Sequence, residues 1–171
     1  MASTLSLQHA TVRHGTLDDL PAITRLINHA YQVEQFFVEG DRTSERDVRS
    51  MYDDGVFLVL DAEPGSETEL AGSIYVRIDH ETQRGYFGLL SVAPDLQGCG
   101  VGRRLVSVAE ALCAAEGCHA MDLLVVNLRT ELPPWYRSLG YEENGTAPFP
   151  TNPPPKRDCH FIRMTKELQL G

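Results

Sequence analysis

The chain lacks a basic surplus. Lys and Arg number 15 against 24 Asp and Glu, a formal charge of −9, whereas a nucleic-acid partner needs a basic face to meet phosphates. No run of residues approaches a membrane span, so no membrane partner is expected. The first residues, MASTLSLQHATVRHG, have neither a basic start nor an apolar core of signal-peptide length, and a cytoplasmic protein is the expectation. Among Cys99, Cys113, Cys118 and Cys159 there is no CxxC pair, which argues for reduced thiols. Two adjacent pairs, Cys118-His119 and Cys159-His160, would point their side chains to opposite faces of a strand, in a spacing that matches no common finger. No metal site is expected from them. Internal repeats and low-complexity tracts are also missing.

What is present fits one soluble globular domain over residues 1–171, with 42% hydrophobic and 23% charged residues. The acidic balance is compatible with an amine substrate, although it also serves solubility. ATVRHG reads as a short first strand. In TLDDLPAITRLINHAY, Thr16 and Asp19 have capping-box spacing, and Leu20, Ile23, Leu26, Ile27 and Ala30 form one helical face. RTSERDVRSMYDDG reads as a more polar helix. VFLVLDA, LAGSIYVRID and QRGYFGLLSVAP then form an antiparallel meander.

A further helix follows, with Val101, Leu105, Val108, Ala109, Leu112 and Cys113 on one face and Gly117 as its stop. AMDLLVVN alternates little, as a strand covered on both faces should. TELPPWYRSLG predicts a short helix with Thr130 as its cap. YEENGTAPFP and CHFIRMTKEL are closing strands around the proline-rich loop PTNPPPKRD. The expected class is α/β (α+β), with helices and strands mixed rather than strictly alternating.

The stretch SVAPDLQGCGVGRRL sets Gly98, Gly100 and Gly102 where a helix begins. The first amides of a helix have no intrahelical partner and carry the positive end of its dipole. Glycines at alternate positions let a diphosphate reach several of those N–H groups; the alternative is a tight turn with close helix–strand packing. A P-loop would need Lys followed by Ser or Thr where Arg103-Arg104 stands. A dinucleotide fingerprint would need a third glycine at position 103 and an acid near the end of the next strand, whereas Asp122 lies near its start. Both of those readings lose.

Gln97, Gly100 and Gly102 match Q/R-x-x-G-x-G/A, a motif that arises by chance in roughly one chain in ten of this length. Its surroundings, LLSVAPDLQGCGVGRRLVSVAE, together with VVNLRTELPPWYRSLGYEE further on, make the chain resemble the GNAT superfamily of acetyl-CoA-dependent N-acetyltransferases. The likeness runs over nearly the whole chain. One departure is the segment from Asn127 to Tyr136, longer than usual and carrying Pro133-Pro134.

The resemblance implies a mixed, largely antiparallel sheet of about seven strands flanked by about four helices. A splayed parallel pair of strands would hold acetyl-CoA, the cosubstrate, with no metal. Leu90, Ser91 and Val92 correspond to the strand that pairs with pantetheine, and Leu90 N–H to the donor for the developing oxyanion. Gln97, Gly98, Cys99, Gly100, Val101, Gly102 and Arg103 correspond to the diphosphate loop, with Cys99 contributing backbone rather than thiol. Asn127 falls at the end of the second strand, and Tyr136 is the group expected to donate toward the coenzyme A sulfur.

The strand Tyr86, Phe87, Gly88, Leu89 carries no carboxylate that could serve as base. Water, aided by Glu34 or His160, is left for that task. Tyr31, Glu34, Phe37 and His160 are expected near a small-molecule or peptide amine acceptor, on a monomer or homodimer. A catalytically silent acyl-CoA-binding or sensing domain of the same fold is the alternative, and a dinucleotide-binding reductase a distant third.

Overall fold

The computed structural model describes residues 10–169. Seven strands form one mixed sheet in the order β1-β2-β3-β4-β5-β7-β6, with four α-helices among the described residues. The opening strand is shorter than its sequence suggests. β1 is Arg13–His14 only, because Thr16 turns the chain at once: its N–H donates to the Asp19 carboxylate at 2.7 Å. A 3-10 turn at Leu17–Asp19 leads into α1, Leu20–Ala30, whose apolar face buries Leu20, Ile23, Leu26 and Ile27. Ser44 caps α2, Glu45–Asp54, by accepting the Asp47 N–H at 3.2 Å.

β2, Val56–Asp61, β3, Leu70–Asp79, and β4, Arg84–Val92, make the expected antiparallel meander. α3, Val101–Ala115, buries Val101, Leu105, Ala109 and Cys113. It presses so closely on the sheet that a Cβ at Gly72 would lie 2.7 Å from Val101 and one at Gly85 would lie 2.6 Å from Cys113 Sγ. β5, Ala120–Val126, runs parallel to β4 and pairs antiparallel with β7, His160–Glu167, along its whole length. β6, Glu142–Pro148, closes the sheet beside β7.

The short helix starts later than its sequence suggests. α4 is Leu132–Ser138, and Glu131, not Thr130, stands at its N-cap. The chain has already turned before Thr130, because Arg129 N–H reaches the Val126 carbonyl at 3.0 Å. All four cysteines are free thiols, with Cys113 and Cys118 buried. Among the described residues, no helix is long and apolar enough to cross a membrane.

Candidate active site

After β4 the chain makes a 3-10 turn at Pro94–Leu96 and then takes left-handed backbone at Gly98 (φ 81°) and Gly100 (φ 85°). A Cβ added at either would meet no atom within 4 Å, so conformation rather than crowding calls for glycine at both. Gly102 differs, since a Cβ there would sit 3.4 Å from the Trp135 ring, an ordinary contact. The first bond of α3 runs from Arg104 N–H to the Gly100 carbonyl at 3.1 Å. The amides of Gly100, Val101, Gly102 and Arg103 therefore have no acceptor within the helix, and the dipole adds positive potential there. Cys99 directs its own N–H to the Leu96 carbonyl at 3.3 Å.

These amides border a cleft of about 600 Å³. Gln97, Gly98 and Arg103 line it from the loop, Leu90 and Val92 from β4, and Trp135 and Tyr136 from α4. The cleft exists because β4 and β5 part. They pair only at Arg84–Ala120, Gly85–Met121 and Tyr86–Asp122, and beyond that the sheet is open between them. Within the open stretch β4 carries a bulge. Ser73 faces Ser91 and Tyr75 faces Gly88, so Ile74 stands opposite both Leu89 and Leu90. Leu89 takes φ 51°, and the buried Ser91 donates its hydroxyl to the Leu89 carbonyl at 3.0 Å. Such a bulge removes a residue from the ladder and re-aims its polar backbone groups.

A second hollow, of about 430 Å³, lies between the segment 31–43, α2, the parted strands β4 and β5, and the segment from Phe149 to Phe161. Tyr31, Glu34, Tyr86, Phe149 and Phe161 are among its walls. Tyr31, Leu90, Leu132 and Tyr136 line both hollows, so the two meet at the parted strands. The loop of residues 149–159 helps to roof the second hollow through Phe149, Pro150 and Pro153. Lys156 pins that loop down, with its N–H on the Phe37 carbonyl at 2.8 Å and its ammonium on the Gln35 carbonyl at 3.0 Å.

Two residues expected near the acceptor lie outside both linings. Phe37 is fully buried and packs edge-on against Phe36 and Phe149 at ring distances of 4.7 and 6.2 Å. His160 is exposed. Its N–H donates to Asn127 Oδ1 at 2.8 Å, and its carbonyl accepts the Asn127 N–H at 2.9 Å. Asn127 thus ties the end of β5 to the start of β7.

The charged centre between the hollows is an ion pair. Glu34, at the end of the 3-10 turn Tyr31–Glu34, accepts from Arg129 Nη1 at 3.1 Å, and Arg129 Nε donates to Glu131 at 2.6 Å. Burial raises the Glu34 pKa, against the pull of Arg129. Burial likewise lifts the Tyr31 phenol to about 12 and the Tyr136 phenol higher still, which keeps both protonated. Sequence reasoning missed Arg129, Glu131 and Trp135. The unusual length of the segment from Asn127 to Tyr136 was the available signal, for those residues occupy it.

The model of the acetyltransferase (GNAT) family matches residues 21–141. The chain belongs to the GNAT acetyltransferase family.

No curated protein matches this GNAT chain in a sequence comparison. Among solved structures, it is similar to the ribosomal-protein-S18-alanine N-acetyltransferase from Escherichia coli, with TM-score 0.71 and 20% identity over 94% of this chain and 95% of that one. A phosphinothricin acetyltransferase from Sinorhizobium meliloti, solved in complex with AcCoA, gives TM-score 0.71 and 20% identity over 95% of this chain and 90% of the other. A GNAT-family acetyltransferase from Staphylococcus aureus MU50 gives 0.72 and 14% over 93% and 99%. Likeness at these identities establishes a GNAT-like fold. Among the described residues, no cluster of His, Cys, Asp or Glu could hold a metal ion.

Proposed function

We propose that this chain transfers the acetyl group of acetyl-CoA to a primary amine, with both substrates bound at once. The observation that carries this reading is the continuity of the two hollows through the gap between β4 and β5, at Leu90 and Tyr136. One hollow presents helix-terminal amides suited to a diphosphate; the other holds a carboxylate and aromatic walls suited to an amine. The residues present fit acetyl-CoA, because the left-handed glycines leave open space above those amides.

Gln97, Gly98, Gly100, Val101, Gly102 and Arg103 would hold its diphosphate end, with Cys99 shaping the loop. Main-chain groups of Leu90, Ser91 and Val92 would hold its pantetheine arm, and Asn127 keeps the facing strand in place. The thioester supplies an activated acetyl carbon. The chain's own residues then do three things. Leu90 N–H, in the bulge, is the donor for the oxygen on which negative charge develops. Tyr136, kept protonated by burial, is a hydrogen-bond donor for the departing sulfur rather than a strong acid. Glu34 is our proton acceptor for the amine, because its buried carboxylate has a raised pKa and lines the acceptor hollow, whereas His160 is exposed.

The test combines calorimetry of acetyl-CoA binding with thiol release across a panel of amines. Binding with amine-dependent thiol release supports the assignment. Binding without release identifies an acyl-CoA sensor instead, and no binding removes both readings.

A further inference from the structure

The acceptor hollow contains a charge that the proposed reaction does not use. Arg42 lines it, and its guanidinium lies 5.5 Å from the centre of the Tyr31 ring. Several arginines are matched by carboxylates, Arg13 by Asp19 and Asp61, Arg84 by Asp122, Arg129 by Glu34 and Glu131, whereas Arg42, like Arg77 over Tyr86 and Arg157 over Phe36, lies over an aromatic ring instead. Arg42 forms no ion pair and no hydrogen bond with another described residue. The backbone beside it is held in place. Asn28 of α1 clasps the next residue, accepting the Thr43 N–H at 2.9 Å and donating to the Thr43 carbonyl at 3.1 Å, and Ser44 begins α2 directly after.

Where this guanidinium acts can be read from its neighbours. Burial raises the pKa of Tyr31, of Tyr86 and of Glu34, three walls of the hollow, and the charge of Arg42 opposes that rise in each. Glu39, Asp41 and Asp47 also border the hollow and, like Arg42, are exposed, yet none of them forms a salt bridge with it. Glu34 is already bonded to Arg129. Arg42, itself exposed, therefore stands at the mouth of the hollow with no salt bridge to a described residue, its guanidinium over the Tyr31 ring. An arginine fork of this kind recognises a carboxylate through paired charge-assisted hydrogen bonds.

We infer that the acceptor carries a carboxylate as well as its amine, and that Arg42 receives that carboxylate: the substrate class is an amino carboxylate. This rests on the acetyltransferase reading above and narrows it. The acids at the mouth then attract the ammonium end of the zwitterion from solution, while Arg42 beside them holds its carboxylate and leaves the amine directed toward Leu90 and Tyr136.

The test compares amino acids with the amines left when their carboxyl groups are removed, such as phenylalanine with phenethylamine and leucine with isoamylamine. We expect kcat/KM to favour the carboxylated member of a pair by about tenfold or more, the worth of a charge-assisted hydrogen bond. In Arg42→Gln that ratio should collapse toward one, and Arg42→Lys should restore part of it. A parallel calorimetric arm without acetyl-CoA should detect an amino carboxylate binding to the natural chain and a lost signal in Arg42→Gln. Equal rates within pairs, a preference for the decarboxylated amines, or no amino-carboxylate binding would each overturn the inference. Failure of acetyl-CoA itself to bind would instead strike the acetyltransferase reading, and the calorimetric arm still decides the role of Arg42.

Discussion

Arg129 and Glu34, 95 positions apart in the chain, meet at 3.1 Å with only 17% and 11% of their side chains exposed. The contact joins a wall of the cleft under the glycine loop to a wall of the second hollow. Removing one member leaves the other charged and largely shielded from water. Arg129→Leu is expected to destabilise the chain by about 2 kcal/mol, since a buried pair broken on one side loses more than the pair itself contributes. Adding Glu34→Gln to that variant should recover part of the loss, as read from denaturant midpoints. Full additivity of the two changes would show that the pair is not coupled.

The same carboxylate should set the acid side of the activity profile. A proton acceptor must be ionised, so kcat/KM should rise with pH as Glu34 ionises, at a value displaced upward by burial. Glu34→Gln should abolish that limb and lower kcat/KM by about a hundredfold. Superimposable profiles for the two proteins would take Glu34 out of the proton path.

Tyr136 offers a cleaner separation of chemistry from stability. Its phenol makes no hydrogen bond with another described residue, while its ring packs on Phe87, Trp135 and Tyr141 at 5.9, 4.9 and 6.1 Å. Tyr136→Phe keeps the ring, so its unfolding free energy should stay within about 1 kcal/mol of the natural chain. Its kcat should fall by about tenfold to a hundredfold, the effect of losing one transition-state donor. Unchanged kcat would leave Tyr136 with a packing role alone.

Two glycines should fail in opposite ways. In Gly100→Ala the methyl meets open space but the residue keeps φ 85°, at a cost of about 1 kcal/mol, and acetyl-CoA affinity should drop with the displaced amides. In Gly72→Ala the methyl would lie 2.7 Å from Val101, 2.8 Å from Leu105 and 3.1 Å from the Ser91 carbonyl. That overpacking should destabilise by about 2 kcal/mol. Thermal melts with and without acetyl-CoA distinguish the two defects.

Acid should probe the entry to α1. The Arg13 guanidinium holds Asp19 down at about 2, below its ordinary 3.8. A depressed carboxylate stabilises the fold above its unfolded-state value and ceases to do so as pH falls toward the folded one. About 1 kcal/mol, discounted because Arg13 is 37% exposed, should be lost between pH 4 and 2. Asp19→Asn should remove that part of the pH dependence, as followed by urea titration at stepped pH.

Local rules made most of the chain legible. The spacing of Val101, Leu105, Ala109 and Cys113 predicts the face that α3 buries, and the Thr16–Asp19 spacing predicts the bond that starts the first helical segment. Local rules misplace ends. Thr130 has the chemistry of a cap, yet Glu131 takes the position because Arg129 has already turned the backbone. What was illegible depends on contacts between distant segments. Nothing around Leu89 announces a bulge, because a bulge is a mismatch of count between two strands. Arg42 and Arg129 look like ordinary surface cations until Tyr31 and Glu34 are brought beside them.

The short seam between β4 and β5 also bears on how the molecule comes apart. Three residue pairs join a block of β1 to β4 with a block of β5 to β7, and a sheet opens most readily along its least-bonded line. A ligand lodged in the gap would act as a peg through both blocks, so amide hydrogen exchange along Phe87–Val92 and Leu123–Val126 should slow far more on saturation than exchange in β2 or β3.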